Sequence, residues 1–228
     1  MSAVLFDYYK LTPSQRNGVI VDSDMSYDEA IADHKVPREF RAQHKLIRPF
    51  LRVVPVIYYG YDDKIHQGQI VVHTYIEEGV RRLFKKLFEE KFPIFSVIPA
   101  SHFGYDDERS MAANNSSAYR PGDQEHGYAA AIDLNPFTNP FDRMVDGVRT
   151  IEPKGAHYNP HAKGAITHRG VVATFWTSLG GECGCNWGDE TAGDQFYVKG
   201  FFDYQHLQLG GKRHERFHAQ ILPAALRG

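Results

Sequence analysis

The chain has 228 residues, enough for one good-sized domain or one domain with an extension, and its 42% hydrophobic content can fill a core. That composition excludes a disordered chain. A formal net charge of −2, with the signs interspersed, leaves no broad basic surface and argues against a nucleic-acid partner.

Residues 1–45 are polar and mixed, broken by Pro13, Asn17-Gly18 and Pro37, and read as an N-terminal extension packing on the domain formed by residues 46–228. The start, Met1-Ser2-Ala3-Val4-Leu5-Phe6-Asp7, lacks the basic and apolar blocks of a signal peptide. No run of apolar residues is long enough for a membrane span. Ser26 ahead of Tyr27-Asp28-Glu29 predicts a short capped helix. Leu51 to Tyr59 is rich in β-branched and aromatic residues and predicts a strand, with Pro55 placing it at an edge or a bulge. Gln69 to His73 predicts a second strand. Ile76, Val80, Leu83, Phe84, Leu87 and Phe88 then recur at three and four, the stripe of an amphipathic helix ending before Pro93.

Ile94 to Ile98 reads as the next strand and Asp106 to Met111 as a short helix; Ser117 to Arg120 and Ala130 to Leu134 read as short strands. Four prolines and several glycines make residues 135–165 a long irregular excursion, a kind of loop more often functional than idle. Val171 to Leu179 is a second helical stripe closed by Gly180-Gly181, and Gln195 to Gln208 brings a last strand region. Cys183 and Cys185 sit one residue apart. A bridge at that spacing is strained and two thiols alone cannot enclose zinc, so both read as free, buried cysteines. Short strands and helices that do not strictly alternate predict an α+β fold with a small, mainly antiparallel sheet flanked by helices.

The chemistry gathers in His126-Gly-Tyr-Ala-Ala-Ala-Ile-Asp133 and in Asp203-Tyr-Gln-His206. Zinc ligands must place their donor atoms only a few ångströms apart. Along a straight helix, seven residues span roughly 10 Å, and on a straight strand an odd separation points two side chains to opposite faces. His126 and Asp133 therefore converge only if the chain bends at Gly127-Tyr128 and Asp133 lies in the strand that follows. Asp203 and His206 similarly need a bulge or turn at Tyr204-Gln205. Two His, one Asp and one free carboxylate are the inventory of a zinc hydrolase, with three protein ligands leaving a fourth position open. Taken alone, His126 also reads as an ordinary loop histidine, Asp133 as a turn cap and Asp203–His206 as a surface pair.

The motif His126-Gly-Tyr-Ala-Ala-Ala-Ile-Asp133-Leu-Asn-Pro136 resembles that of the zinc peptidase family of D-alanyl-D-alanine carboxypeptidases and L-alanyl-D-glutamate endopeptidases, the VanY/VanX-like enzymes. The resemblance covers roughly residues 50–210 and extends to Asp107–Arg120 and to Asn186-Trp187-Gly188. It implies a fold like that of the Hedgehog and DD-peptidase domains, with zinc held by His126, Asp133 and His206. It makes Asp203 the catalytic acid–base and Arg120 the candidate for polarising a scissile carbonyl or holding a substrate carboxylate, with Arg109 as runner-up. Gln124 stands where the family often has Ser, and Ala129 where it often has Gly. An aspartate at 203 tilts the comparison towards the endopeptidases. His73, His102, His157, His161 and His168 are left as non-ligands.

The implied function is hydrolysis of peptide bonds in peptidoglycan stem peptides, and the implied place of work is extracellular or facing the cell wall, reached without a signal peptide of this chain's own. A zinc-containing cell-wall binding module without catalysis is the alternative, although a pure binder has no need of Asp203.

Overall fold

The computed structural model describes residues 2–122, 124–146, 148–186 and 201–227. Trp187 and Gly188, and the first part of the Gln195–Gln208 strand region, lie outside the described residues. The fold mixes helices with several small sheets, as an α+β chain does.

Its N-terminal part carries α1 (Ser2–Tyr8), α2 (Pro13–Asn17), the two-residue strand β1 (Ile20–Val21), α3 (Tyr27–Ala30) and α4 (Arg41–Ile47). Ser26 caps α3 in a capping box with Glu29, which satisfies two otherwise orphaned amides of so short a helix. Leu5, Tyr9, Leu11 and Ile31 are buried in the same core as the rest of the chain, and Tyr9 meets Phe88 edge to face with ring centres 5.4 Å apart.

β2 (Leu51–Tyr59) and β3 (Ile65–His73) form a long antiparallel hairpin, with β1 added parallel on the far side of β3. β2 is thus an edge strand, where Pro55 removes a ladder N–H at no cost. α5 (Glu77–Glu89) follows, burying Val80, Leu83, Phe84, Leu87 and Phe88 along one face. Each such side chain contributes roughly 1.5–3 kcal/mol relative to exposure.

The strand expected over Ile94–Ile98 shrinks to β4 (Ser96–Val97), parallel to β5 (Asn115–Ser116). The Asn115 side chain substitutes for further ladder: its Oδ1 accepts from Ile98 N and its Nδ2 donates to Ile98 O, both at 2.9 Å. Between them α6 (Asp107–Ala112) is capped by Asp106. Beyond β5 the expected strand Ser117–Arg120 is not a continuous ladder. Ser117 bridges Asp133 while the Tyr119 amide turns to the carbonyl of Val71, so this segment passes from one sheet to another.

α7 (Gln124–Gly127) and β6 (Ala131–Asp133) come next. The irregular excursion expected over residues 135–165 is corrected: it contains an antiparallel hairpin, β7 (Phe141–Val145) and β8 (Val148–Glu152). Val145 pairs with Val148, so only Asp146-Gly147 joins the strands, and Asp-Gly is a strong two-residue hairpin signal. The flanking prolines masked it.

α8 (Val171–Ser178) ends at Gly180, whose φ of +79° suits the left-handed region. Its Trp176 is fully buried, with indole N–H donating to the carbonyl of Gln208 at 2.8 Å. β9 (Gly181–Cys183), β10 (Phe201–Asp203), β11 (His206–Leu209) and α9 (Gly211–Arg216) complete the chain, and a wider π-type turn, Phe217–Ile221, continues α9. β11 is the centre of a sheet ordered β6–β11–β9, while β10 joins β7 and β8 in another. Trp176 therefore fixes α8 directly on the strand that carries His206.

Candidate metal centre

His126 sits in the single turn of α7. A side chain at Gly127 would place its Cβ 1.8 Å from the carbonyl oxygen of Gly122, so the turn is closed by backbone contact that only glycine permits. Ala129, with φ of +57°, then redirects the chain into β6. This is the bend that the spacing of His126 and Asp133 demands. Asp133 in turn lies directly opposite His206 in the antiparallel β6–β11 register, and directly opposed residues share a sheet face.

The three side chains are buried and their donor atoms face one another. His126 Nε2 lies 3.2 Å from Asp133 Oδ2 and 3.2 Å from His206 Nδ1, and His206 Nδ1 lies 3.3 Å from Asp133 Oδ1. Ligands about 2.0–2.1 Å from a tetrahedral ion are separated by about 3.3 Å, so the spacing of the two imidazole nitrogens suits zinc, and one atom from each of the three residues lies within 4.8 Å of the others. Second contacts orient both rings. His126 Nδ1 is 2.8 Å from the carbonyl of Ala118 and His206 Nε2 is 3.0 Å from Gln208 Oε1. Each neighbour accepts an N–H, leaving the opposite ring nitrogen as a lone-pair donor to the centre.

Burial pushes the Asp133 carboxyl up, but His126 and Arg120 outweigh it and hold the group well below the usual carboxylate range. Burial also lowers His126, helped by the Arg120 charge. His206 goes the other way: burial disfavours its cation, yet its hydrogen bond to Asp133 and the charge of Asp203 raise it to about 9. Without metal, an ionised carboxylate therefore sits against one neutral imidazole and one imidazolium, and a metal ion binding here would displace the His206 proton.

Asp203 ends β10, and its Oδ2 lies 3.9 Å from His206 Nδ1, outside the ring of donors. The turn expected at Tyr204-Gln205 is present, carrying the chain from β10 into β11. Burial raises the Asp203 carboxyl to about 6, the range of a proton-transfer group at neutral pH. Its Oδ1 is buried with no hydrogen-bond partner among the described residues. No family model matches this chain, and no curated protein or solved structure does.

Arg120 reaches the centre, but its guanidinium is engaged by carboxylates: Nη1 donates to Asp133 Oδ2 at 2.8 Å and Nε lies 3.2 Å from Asp107 Oδ2. Arg109 is exposed on α6 and takes no part in these contacts. Asp107, raised by burial, is the residue that the sequence reading passed over. Its signals were a place in the first turn of α6 and at the head of the segment Asp107–Arg120, and its pairing to Arg120 is a tertiary fact. Asp107 also opens onto a cleft of roughly 500 Å³ between α6 and β8, bounded by Met111, Thr150, Ile151 and Glu152. His73 is buried against Phe50, and none of His73, His102, His157, His161 and His168 joins the His126–Asp133–His206 group.

The expectation of free cysteines is corrected: Cys183 and Cys185 form a disulfide. The chain turns at Gly184 as β9 ends, bringing the two Cα atoms to 5.2 Å, within the span that a bridge requires. At Gly184 an added Cβ would lie 2.1 Å from the carbonyl oxygen of Asp203, so the bridged turn presses against the backbone of that residue.

Proposed function

We propose that this protein is a zinc-dependent peptidase acting on the stem peptides of bacterial peptidoglycan. The observation that carries the reading is one constellation: three buried residues whose nearest donor atoms lie 3.2–3.3 Å apart in each pair, with a fourth carboxylate, that of Asp203, 3.9 Å from His206. A pure metal-binding module needs the first part and not the second. His126, Asp133 and His206 would hold the ion. Zinc there supplies Lewis-acid chemistry, polarising a peptide carbonyl and bringing the pKa of water towards neutrality.

The chain's own residues do the rest. Asp203, buried and ionised above about pH 6, takes a proton from the attacking water and returns it to the leaving amine. Arg120 keeps Asp133 ionised and in place through its 2.8 Å hydrogen bond, and stands where a guanidinium can also meet a substrate carbonyl or carboxylate. The cleft between α6 and β8, with Asp107 on its wall, is the place where an extended peptide would lie. The motif from His126 to Pro136 and the aspartate at 203 support stem peptides as the substrate. The same resemblance supports a Hedgehog/DD-peptidase type of fold, a catalytic domain over residues 46–228 and work on the wall side of the membrane. No helix among the described residues is long and apolar enough to cross a membrane.

The deciding experiment is mass spectrometry of peptidoglycan fragments incubated with zinc-loaded protein, with and without a chelator. Chelator-sensitive appearance of N-terminal D-Glu makes it an L-alanyl-D-glutamate endopeptidase; loss of terminal D-Ala makes it a carboxypeptidase. Binding to peptidoglycan with no product from a loaded sample overturns catalysis in favour of a binding module.

A further inference from the structure

The residue before His126 belongs to a different cluster. His214 on α9 and His218 in the π-type turn that continues it are four apart and share a helix face, their ring centres 4.3 Å apart. Both aim Nε2 at a single oxygen, Glu125 Oε1, at 3.2 and 2.7 Å, and the three donor atoms all lie within 4.8 Å of one another. Both ends of the cluster are fixed from behind. Phe217, between the histidines, is fully buried against His73 and Tyr75, and Tyr128 packs edge-on to the His218 ring. Glu125 is held by the turn of α7, where its carbonyl accepts the amide of Ala130 at 2.9 Å.

We infer that Glu125, His214 and His218 form a second binding site, for a divalent cation of the zinc, cobalt or nickel kind. Two imidazoles and one carboxylate are the donors such borderline ions select. Two imidazole N–H groups hydrogen-bonded to Oε1 would satisfy that oxygen, but they leave Glu125 Oε2, which is buried and has no hydrogen-bond partner among the described residues. A cation bound by both nitrogens and chelated by both carboxylate oxygens would satisfy Oε2 as well as Oε1. The imidazoles are about one-third exposed, at 38% and 32% of their side-chain surface, against 12% for Glu125. The outer side of the site is therefore open to water or to a ligand atom from another molecule, unlike the buried centre at His126. Occupancy ties α9 to the turn that carries His126, so the second ion would brace the first centre from its C-terminal side. The inference does not depend on the first centre holding zinc or on any activity.

Equilibrium dialysis of the metal-stripped full chain against zinc or cobalt, read by elemental analysis, tests it. Two equivalents are expected for the wild type, one for His206→Ala, and none for His206→Ala combined with His218→Gln. One equivalent in the wild type that His206→Ala abolishes overturns the second site. One equivalent that survives His206→Ala and is lost with His218→Gln supports it while counting against the first centre. If His206→Ala does not fold, wild type and the exposed variant His214→Gln are compared: a drop from two equivalents to one supports the site, and one equivalent in both overturns it.

Discussion

Under the proposed mechanism Asp203 faces two opposing demands. As a proton acceptor it must be ionised at neutral pH, yet burial works against that charge and raises the group to about 6. An ordinary aspartate titrates near 3.9, so between about pH 4 and pH 6 the folded protein binds more protons at this position than the unfolded chain does. Stability is then lost as pH rises through that window and stays lost above it. Asp203→Asn should raise the unfolding free energy of the metal-free protein by roughly 1–3 kcal/mol at pH 7 and have little effect at pH 4. The same substitution should cut peptide turnover by at least about 10²-fold. Thermal unfolding across pH, set beside kcat on a stem peptide, checks both; a variant less stable at pH 7 would contradict the account. At this scale the residue types were legible and their meeting was not. His126, Asp133 and His206 stand out as a motif, but what brings Asp133 opposite His206 is the β6–β11 register, a pairing between segments far apart in sequence. Arg120 was found by its proximity to His126, whereas its partner Asp107 is tied to it only through space.

At the scale of elements, strong periodicity translated directly. The apolar stripe over Ile76–Phe88 became α5, and the β-branched run Leu51–Tyr59 became β2. The excursion over residues 135–165 did not translate, because its prolines outweighed the Asp-Gly pair at the tip of the β7–β8 hairpin. That hairpin matters, since β7 is the partner of β10 and so sets the position of Asp203. The Cys183–Gly184–Cys185 turn presses on the same residue from the other side. Gly184→Ala should displace the Asp203 backbone, because its Cβ would lie 2.1 Å from that carbonyl oxygen. The expected result is a fall in kcat of more than tenfold with zinc stoichiometry unchanged. A variant with normal turnover would show that the contact is relieved without moving the carboxylate.

Across the whole molecule, the His126–Asp133–His206 group gathers side chains from α7, β6 and β11 at one point. An ion bound there at a free concentration about 1,000 times its Kd adds about 4 kcal/mol to stability. For a chain of this length that is a rise of roughly 8–16 °C in unfolding midpoint. Removing metal with a chelator should reverse it, and scanning calorimetry with and without added zinc reads the difference; identical midpoints would mean that no ion links these segments. The N-terminal part belongs to the same core. Tyr9→Ala, which empties a buried ring site against Phe88, should cost about 3 kcal/mol in denaturant unfolding. A loss under 1 kcal/mol would mark residues 1–45 as loosely attached. One further consequence follows from the turn at Tyr204-Gln205, where the chain changes sheets. Asp203 is thereby paired with β7, with Gly184 against its carbonyl, while His206 is paired with Asp133 in β6. In the proposed enzyme, a peptide pressing on the hairpin would act on Asp203 through β7 and not through the pair of strands that carries Asp133 and His206, so substrates of different shape would differ in turnover more than in their need for metal.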